Sequence, residues 1–78
     1  MDRWTLTGAE IGRFGRAHYE KTIRACVETL DNIGKIAVID VETGDYEVDD
    51  EGLASADKLH ARRPGAALYG IRIGYNVA

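Results

Sequence analysis

Apolar and polar positions change their period three times along this chain, and each change marks an element. Ile11, Phe14, Tyr19, Ile23, Cys26, Val27 and Leu30 recur every three or four residues, the spacing of one helical face. Thr7-Gly8-Ala9-Glu10 has the form of a capping box, in which the Thr side chain accepts from the Glu amide and the Glu reaches back. The pattern predicts a helix from Thr7 to about Asn32, ended near Gly34. Arg16, Glu20 and Arg24 stand four apart on its polar side and can pair. Gly12 and Gly15 weaken its first turns by about 1 kcal/mol each relative to Ala. A frayed or bent start is expected there, the other use of such residues being close packing on a partner.

From Lys35 to Val41 the chain is apolar on both faces, with Ile36 and Val38 on one and Ala37, Ile39 and Val41 on the other. That is the signature of a central strand. Glu42-Thr43-Gly44 reads as a tight turn, with Gly where positive φ is needed. Asp45 to Asp49 then alternates, placing Tyr46 and Val48 inward and Asp45, Glu47 and Asp49 outward. Asp49 or Asp50 caps a second helix over about Glu51–Arg63, begun by acids and ended by Arg62 and Arg63, as the helix dipole favours. Leu53, Ala56, Leu59 and His60 are its expected buried stripe, and Pro64 stops it. Alternation resumes from Ala67 to Val77. The fold class is therefore α+β: a long N-terminal helix, then β-β-α-β, with a three-stranded antiparallel sheet in the order 2-1-3.

Seventy-eight residues make one domain. Residues 1–6 read as a loose terminus, 7–33 as the helix and 34–78 as the ββαβ core. A core of this size rarely contributes more than about 3–5 kcal/mol, and small folds usually add a disulfide, a metal or a partner chain. The lone Cys26 cannot form an internal disulfide, and no metal-ligand spacing stands out. A partner chain is expected, most simply a second copy in a homodimer.

The net charge is −3. Its distribution matters more: seven acids fall between Asp40 and Glu51 with no base among them. An acidic chain without a basic stripe argues against nucleic acid as the main partner. No apolar run approaches the roughly 18 residues that span a bilayer. One cysteine and the absence of a leader segment point to a reducing cytoplasm.

Gly34-Lys35, Asp40-Val41-Glu42-Thr43-Gly44-Asp45-Tyr46 and Arg72-Ile73-Gly74-Tyr75 carry a resemblance to a large group of small uncharacterised bacterial proteins. Those proteins share a hairpin–helix–strand core behind a variable N-terminal helix, and the resemblance covers about residues 17–78. It implies a partner-binding role, since genes of that group often neighbour those of small retropepsin-like aspartic proteases or toxin–antitoxin-type partners. It implies no catalytic residues and no cofactor.

Each candidate chemistry meets an obstacle. Counting Asp40 as the first position of a calcium loop puts Glu42 third and Glu51 twelfth, but Asp45 stands sixth where the sharp turn requires Gly. Asp40, Glu42, Asp45 and Glu47 surround a turn rather than face a cleft, as paired acid–base carboxylates must. The expected role of Asp40 is acceptor for turn amides. His18 and Cys26 are eight residues apart on one helix and lack the further groups of a zinc site or a nucleophilic pair. Cys26 is expected to be a buried thiol, and His60 a residue of the helix end. Gly8, Gly12 and Gly15 around Arg13 and Arg16 do not have the spacing of a phosphate-binding loop. No catalytic, cofactor or metal residues are assigned.

Two surfaces remain as candidates. Tyr69, Ile71, Ile73 and Tyr75 form an apolar-aromatic row on the last strand, opposite Gly70, Arg72 and Gly74. Either the row packs under the helices, or the strand docks another chain, with Arg72 at the contact and main-chain hydrogen bonds giving affinity. Phe14 joins this set. The second surface is the acidic patch Asp45, Glu47 and Asp49, which could serve an antitoxin-like or regulatory protein as a decoy for the basic cleft of an enzyme encoded nearby.

Overall fold

The structure, a computed structural model, describes residues 6–74. Tyr75 and the end of the predicted last strand, like most of the predicted loose terminus, lie outside the described residues. The sheet is antiparallel throughout, in the order β2-β1-β3, with β1 at Ile36–Asp40, β2 at Tyr46–Asp49 and β3 at Leu68–Arg72. The expected α+β architecture is thus the observed one. Helical structure precedes the sheet and helix α3, Gly52–Arg62, crosses over between β2 and β3.

The N-terminal helix has three parts: α1 at Gly8–His18, a π-helical turn at Tyr19–Ile23, and α2 at Arg24–Val27. Thr7 caps it through both bonds of the capping box. It ends at Val27, short of the predicted Asn32, and a 3₁₀ turn at Leu30–Asn32 leads to the sheet. The residues it buries are Gly15, Tyr19, Ile23 and Val27, spaced by four. On a regular helix of 3.6 residues per turn, each four-residue step drifts by about 40°. The wider turn, in which the Arg24 amide donates to the Tyr19 carbonyl, takes up that drift and keeps all four on the sheet.

Two predicted members of this stripe lie elsewhere. Cys26 is exposed, correcting the buried-thiol expectation, and Leu30 is exposed beyond the helix end. The apolar face of the sheet, with Ala37, Ile39, Tyr46, Val48, Tyr69, Ile71 and Ile73, packs under Tyr19, Ile23 and Val27. The helix start is drawn onto β3 rather than frayed. A Cβ built on Gly15 would stand 2.5 Å from Cβ and Cγ of Tyr69.

Helix α3 covers the opposite face, over β1 and β2. The residues it buries are Ser55 and Leu59, not the predicted Leu53, which is 73% exposed, nor His60. The shift follows from the close approach at Gly52, whose missing Cβ would meet Ile36 at 3.3 Å. No side chain caps α3; its N-cap is Glu51, and Asp49 instead accepts from the Glu51 amide. Among the described residues, Ser55 Oγ is the buried side-chain polar atom without a partner.

Two stability predictions follow from these contacts. Gly12→Ala should raise the urea midpoint, because its Cβ meets only ordinary contact at 3.9 Å and helix propensity improves by about 1 kcal/mol. Gly15→Ala should lower it, because overpacking costs about 1–3 kcal/mol and the added Cβ would meet Tyr69 at Cβ and Cγ, the part of the side chain fixed by its backbone. Equal shifts for both would show that α1 does not lie this close to β3. Ser55→Ala should stabilise the fold by about 1 kcal/mol, the cost of burying a hydroxyl unsatisfied. Differential scanning calorimetry would read it as a raised Tm, and a lowered one would mean that the hydroxyl has a partner.

Candidate functional site

Asp40 closes β1 and is only 2% exposed. A carboxylate at that depth must be answered by donors. Its Oδ1 accepts from the amides of Glu42, at 3.0 Å, and Thr43, at 3.4 Å. Its Oδ2 accepts from Arg63 Nε at 2.6 Å. The turn-amide role expected from sequence is present, joined by a cation at the far end of α3. Burial pushes the Asp40 carboxyl upward, but the Arg63 and turn-amide hydrogen bonds outweigh it and hold the group below its ordinary value of 3.8. The turn is completed by the Gly44 amide on the Asp40 carbonyl at 2.8 Å, with Gly44 at φ 84°, a region other residues rarely adopt.

The remaining acids of the hairpin are met in the same way. Arg63 also bonds Glu42, Arg62 bonds Asp45 at 2.6 Å and also Glu47, and Lys58 lies 3.8 Å from Asp49 and 4.0 Å from Glu47. Glu47 and Asp49 therefore lie half-buried against α3 and its bases, and Asp45, though exposed, is paired with Arg62. An acidic decoy would have to displace these partners. In the N-terminal helix, Arg24 bridges Glu20 and Glu28, and Glu28 accepts from the Tyr19 hydroxyl at 2.8 Å. Burial and then this bond raise the Tyr19 phenol well above its usual range. Arg16 turns from its predicted helix partners to donate to the Tyr69 hydroxyl.

Strand β3 borders the sheet, as its predicted place in the order requires. Alternate residues of an antiparallel strand direct their main-chain groups to opposite sides. Ile73 donates to the Lys35 carbonyl and Val41 to that of Ala67, which turns Tyr69 and Ile71 toward β1 in the observed register. The N–H and C=O groups of Leu68 and Gly70 point outward, and no described residue meets them. The side chains of Tyr69, Ile71 and Ile73 pack inside the chain, Ile73 completely and the other two in part. Arg72 donates to the Gly34 carbonyl at 2.9 Å. What the candidate row leaves outward is main chain, at Gly70, one of the glycines that flank Arg72 in the sequence, and at Leu68, which was not singled out from sequence but is marked by strand parity. Because α3 stands over β1 and β2, the Gly70 and Arg72 side of β3 is also exposed.

Phe14 lies apart from this edge, in a cleft of about 390 Å³ lined by Leu6, Phe14, Ala17, His18, Lys21, Val41 and Glu42. His18 Nε2 donates to the Val41 carbonyl at 3.0 Å, and the ring rests on Gly44. The carbonyl partner fixes the proton on Nε2. His18 and Cys26 are not brought together: the Cys26 thiol lies at Tyr46, whose phenol is raised by burial and then by that thiol. His60 is exposed, 3.3 Å from the Ala66 carbonyl.

Among the described residues there is no group of three or more His, Cys, Asp or Glu that could hold a metal ion, and no helix is long and apolar enough to cross a membrane. No protein-family model, curated protein or solved structure matches the chain.

The Asp40 site makes a pH prediction. A carboxyl whose folded value is depressed contributes stability above its unfolded value and loses it as the pH falls through the folded one. Thermal stability should therefore decline as the pH drops below about 3.8. Asp40→Asn should cost about 2 kcal/mol near neutrality and flatten that decline. An unchanged acid slope in the variant would show that Asp40 is not the group responsible.

Proposed function

We propose that this protein is a non-enzymatic protein-interaction module that self-associates by strand addition along the outer edge of β3. One observation carries the reading: the outward main-chain groups of Leu68 and Gly70 have no partner among the described residues. An unpaired edge is a template for another strand unless charge or covering blocks it. The β2 edge is flanked by Asp45, Glu47 and Asp49 with Lys58 and Arg62. The Leu68–Gly70 stretch of β3 has no such guard. A core of this size also gains much from burying more surface against a second copy.

Gly70→Pro separates the edge from the fold. It deletes an amide that points outward, and a border strand tolerates proline on that side. Sedimentation should show a concentration-dependent dimer for the natural chain. Dissociation of the proline variant should be at least about tenfold easier, since each copy loses a hydrogen bond. Gly70→Ala keeps the amide and has room, with Ile36 and Val38 at 3.8 and 4.0 Å, so it should still dimerise. A natural chain that stays monomeric at high micromolar concentration, or a proline variant that dimerises as tightly, overturns the proposal.

A further inference from the structure

The cleft between α1 and the β1–β2 turn has a chemistry that the edge reading does not use. Its walls are apolar: Leu6, Phe14, Ala17 and Val41. Its polar groups differ in how far they are committed. Glu42 is bonded to Arg63, so its charge is compensated. The Nε2–H of His18 is taken by the Val41 carbonyl. Lys21 also lines the cleft and is exposed, and no described residue hydrogen-bonds or ion-pairs with it. Arg13 adds positive charge nearby, its guanidinium 5.3 Å from the centre of the Phe14 ring. The volume falls within the usual range of small-molecule sites, about 300–1,000 Å³.

We propose that this cleft binds a small monocarboxylate with an apolar tail. The tail lies along Phe14, Ala17, Leu6 and Val41, where water gains least by staying. The carboxylate meets the Lys21 ammonium in a charge-assisted hydrogen bond. A cationic head is disfavoured, because Lys21 repels it and Arg63 already holds the acid that would attract it. A dianionic head is disfavoured too, because Lys21 is the one cation among the described residues that line the cleft, and Arg13, over the Phe14 ring, is not one of them. The site is independent of the β3 edge, and either can fail without the other.

Octanoate is a suitable probe, titrated into the 78-residue chain and followed by amide chemical shifts. Saturable shifts should concentrate at Phe14, Ala17, His18, Lys21 and Val41. Affinity should rise by about fourfold per methylene from butanoate to octanoate, as expected for apolar burial. Lys21→Met keeps the apolar stem on an exposed position and should weaken octanoate by about tenfold. Octylamine should bind much more weakly than octanoate. Shifts scattered over the surface, an octylamine affinity equal to that of octanoate, or a Lys21→Met variant that binds unchanged would each overturn the proposal. Ala17→Leu, which fills the cleft from an exposed helical position, should block binding while leaving the sheet resonances in place; undiminished binding by it would also count against the site.

Discussion

A carboxylate buried at the end of a central strand is a constraint that the rest of the chain has to satisfy. Asp40 is satisfied by two amides of its own turn and by Arg63, which follows the last turn of α3 as its C-cap. The first pair sets the shape of the hairpin. The third bond ties the far end of a crossover helix to the middle of the sheet. With Arg62 and Lys58 on the neighbouring acids, α3 is held over β1 and β2. Exposed ion pairs contribute little individually, but a charge at the depth of Asp40 is costly to leave unmatched. The position of α3 follows from that asymmetry, and the exposed side of β3 follows from the position of α3.

The opposite layer is placed by contact distance rather than charge. Without a side chain at Gly15, α1 settles directly on Tyr69. The π-helical turn then keeps Tyr19, Ile23 and Val27 on the same line. This arrangement consumes the side chains of the aromatic row on β3 and leaves its outer main chain uncovered. It also leaves space beside the hairpin turn, where Phe14, Ala17 and Lys21 face Val41 and Glu42. The two unfilled places of the fold, an edge and a cleft, arise from helices positioned to meet other demands.

The acidic run from Asp40 to Glu51 shows how charge on a sequence differs from charge in space. Read along the chain, it is a block of seven acids without a base. In the fold, the strand period turns Asp40, Glu47 and Asp49 to the side where α3 stands, and the helix period brings Lys58, Arg62 and Arg63 to meet the run. The bases lie well downstream in sequence, so no local window contains both partners. For the same reason Leu53 was expected inside and is exposed, while Ser55 is buried: the apolar stripe of a short helix says which side could be buried, and the contact at Gly52 says which side is.

Local patterning was sufficient for the kinds and order of the elements, the hairpin, the capping box, the middle position of β1 and the border position of β3, though not for where the first helix ends. These depend on periodicity, turn chemistry and connection lengths, all of which act over a few residues. Three features required the assembled chain: the π-helical turn, the Asp40–Arg63 pair and the cleft at Lys21. Each depends on how closely two distant segments approach. That distance is set jointly by packing, by missing side chains at Gly15 and Gly52, and by the need to neutralise a buried charge, none of which can be read from one segment alone.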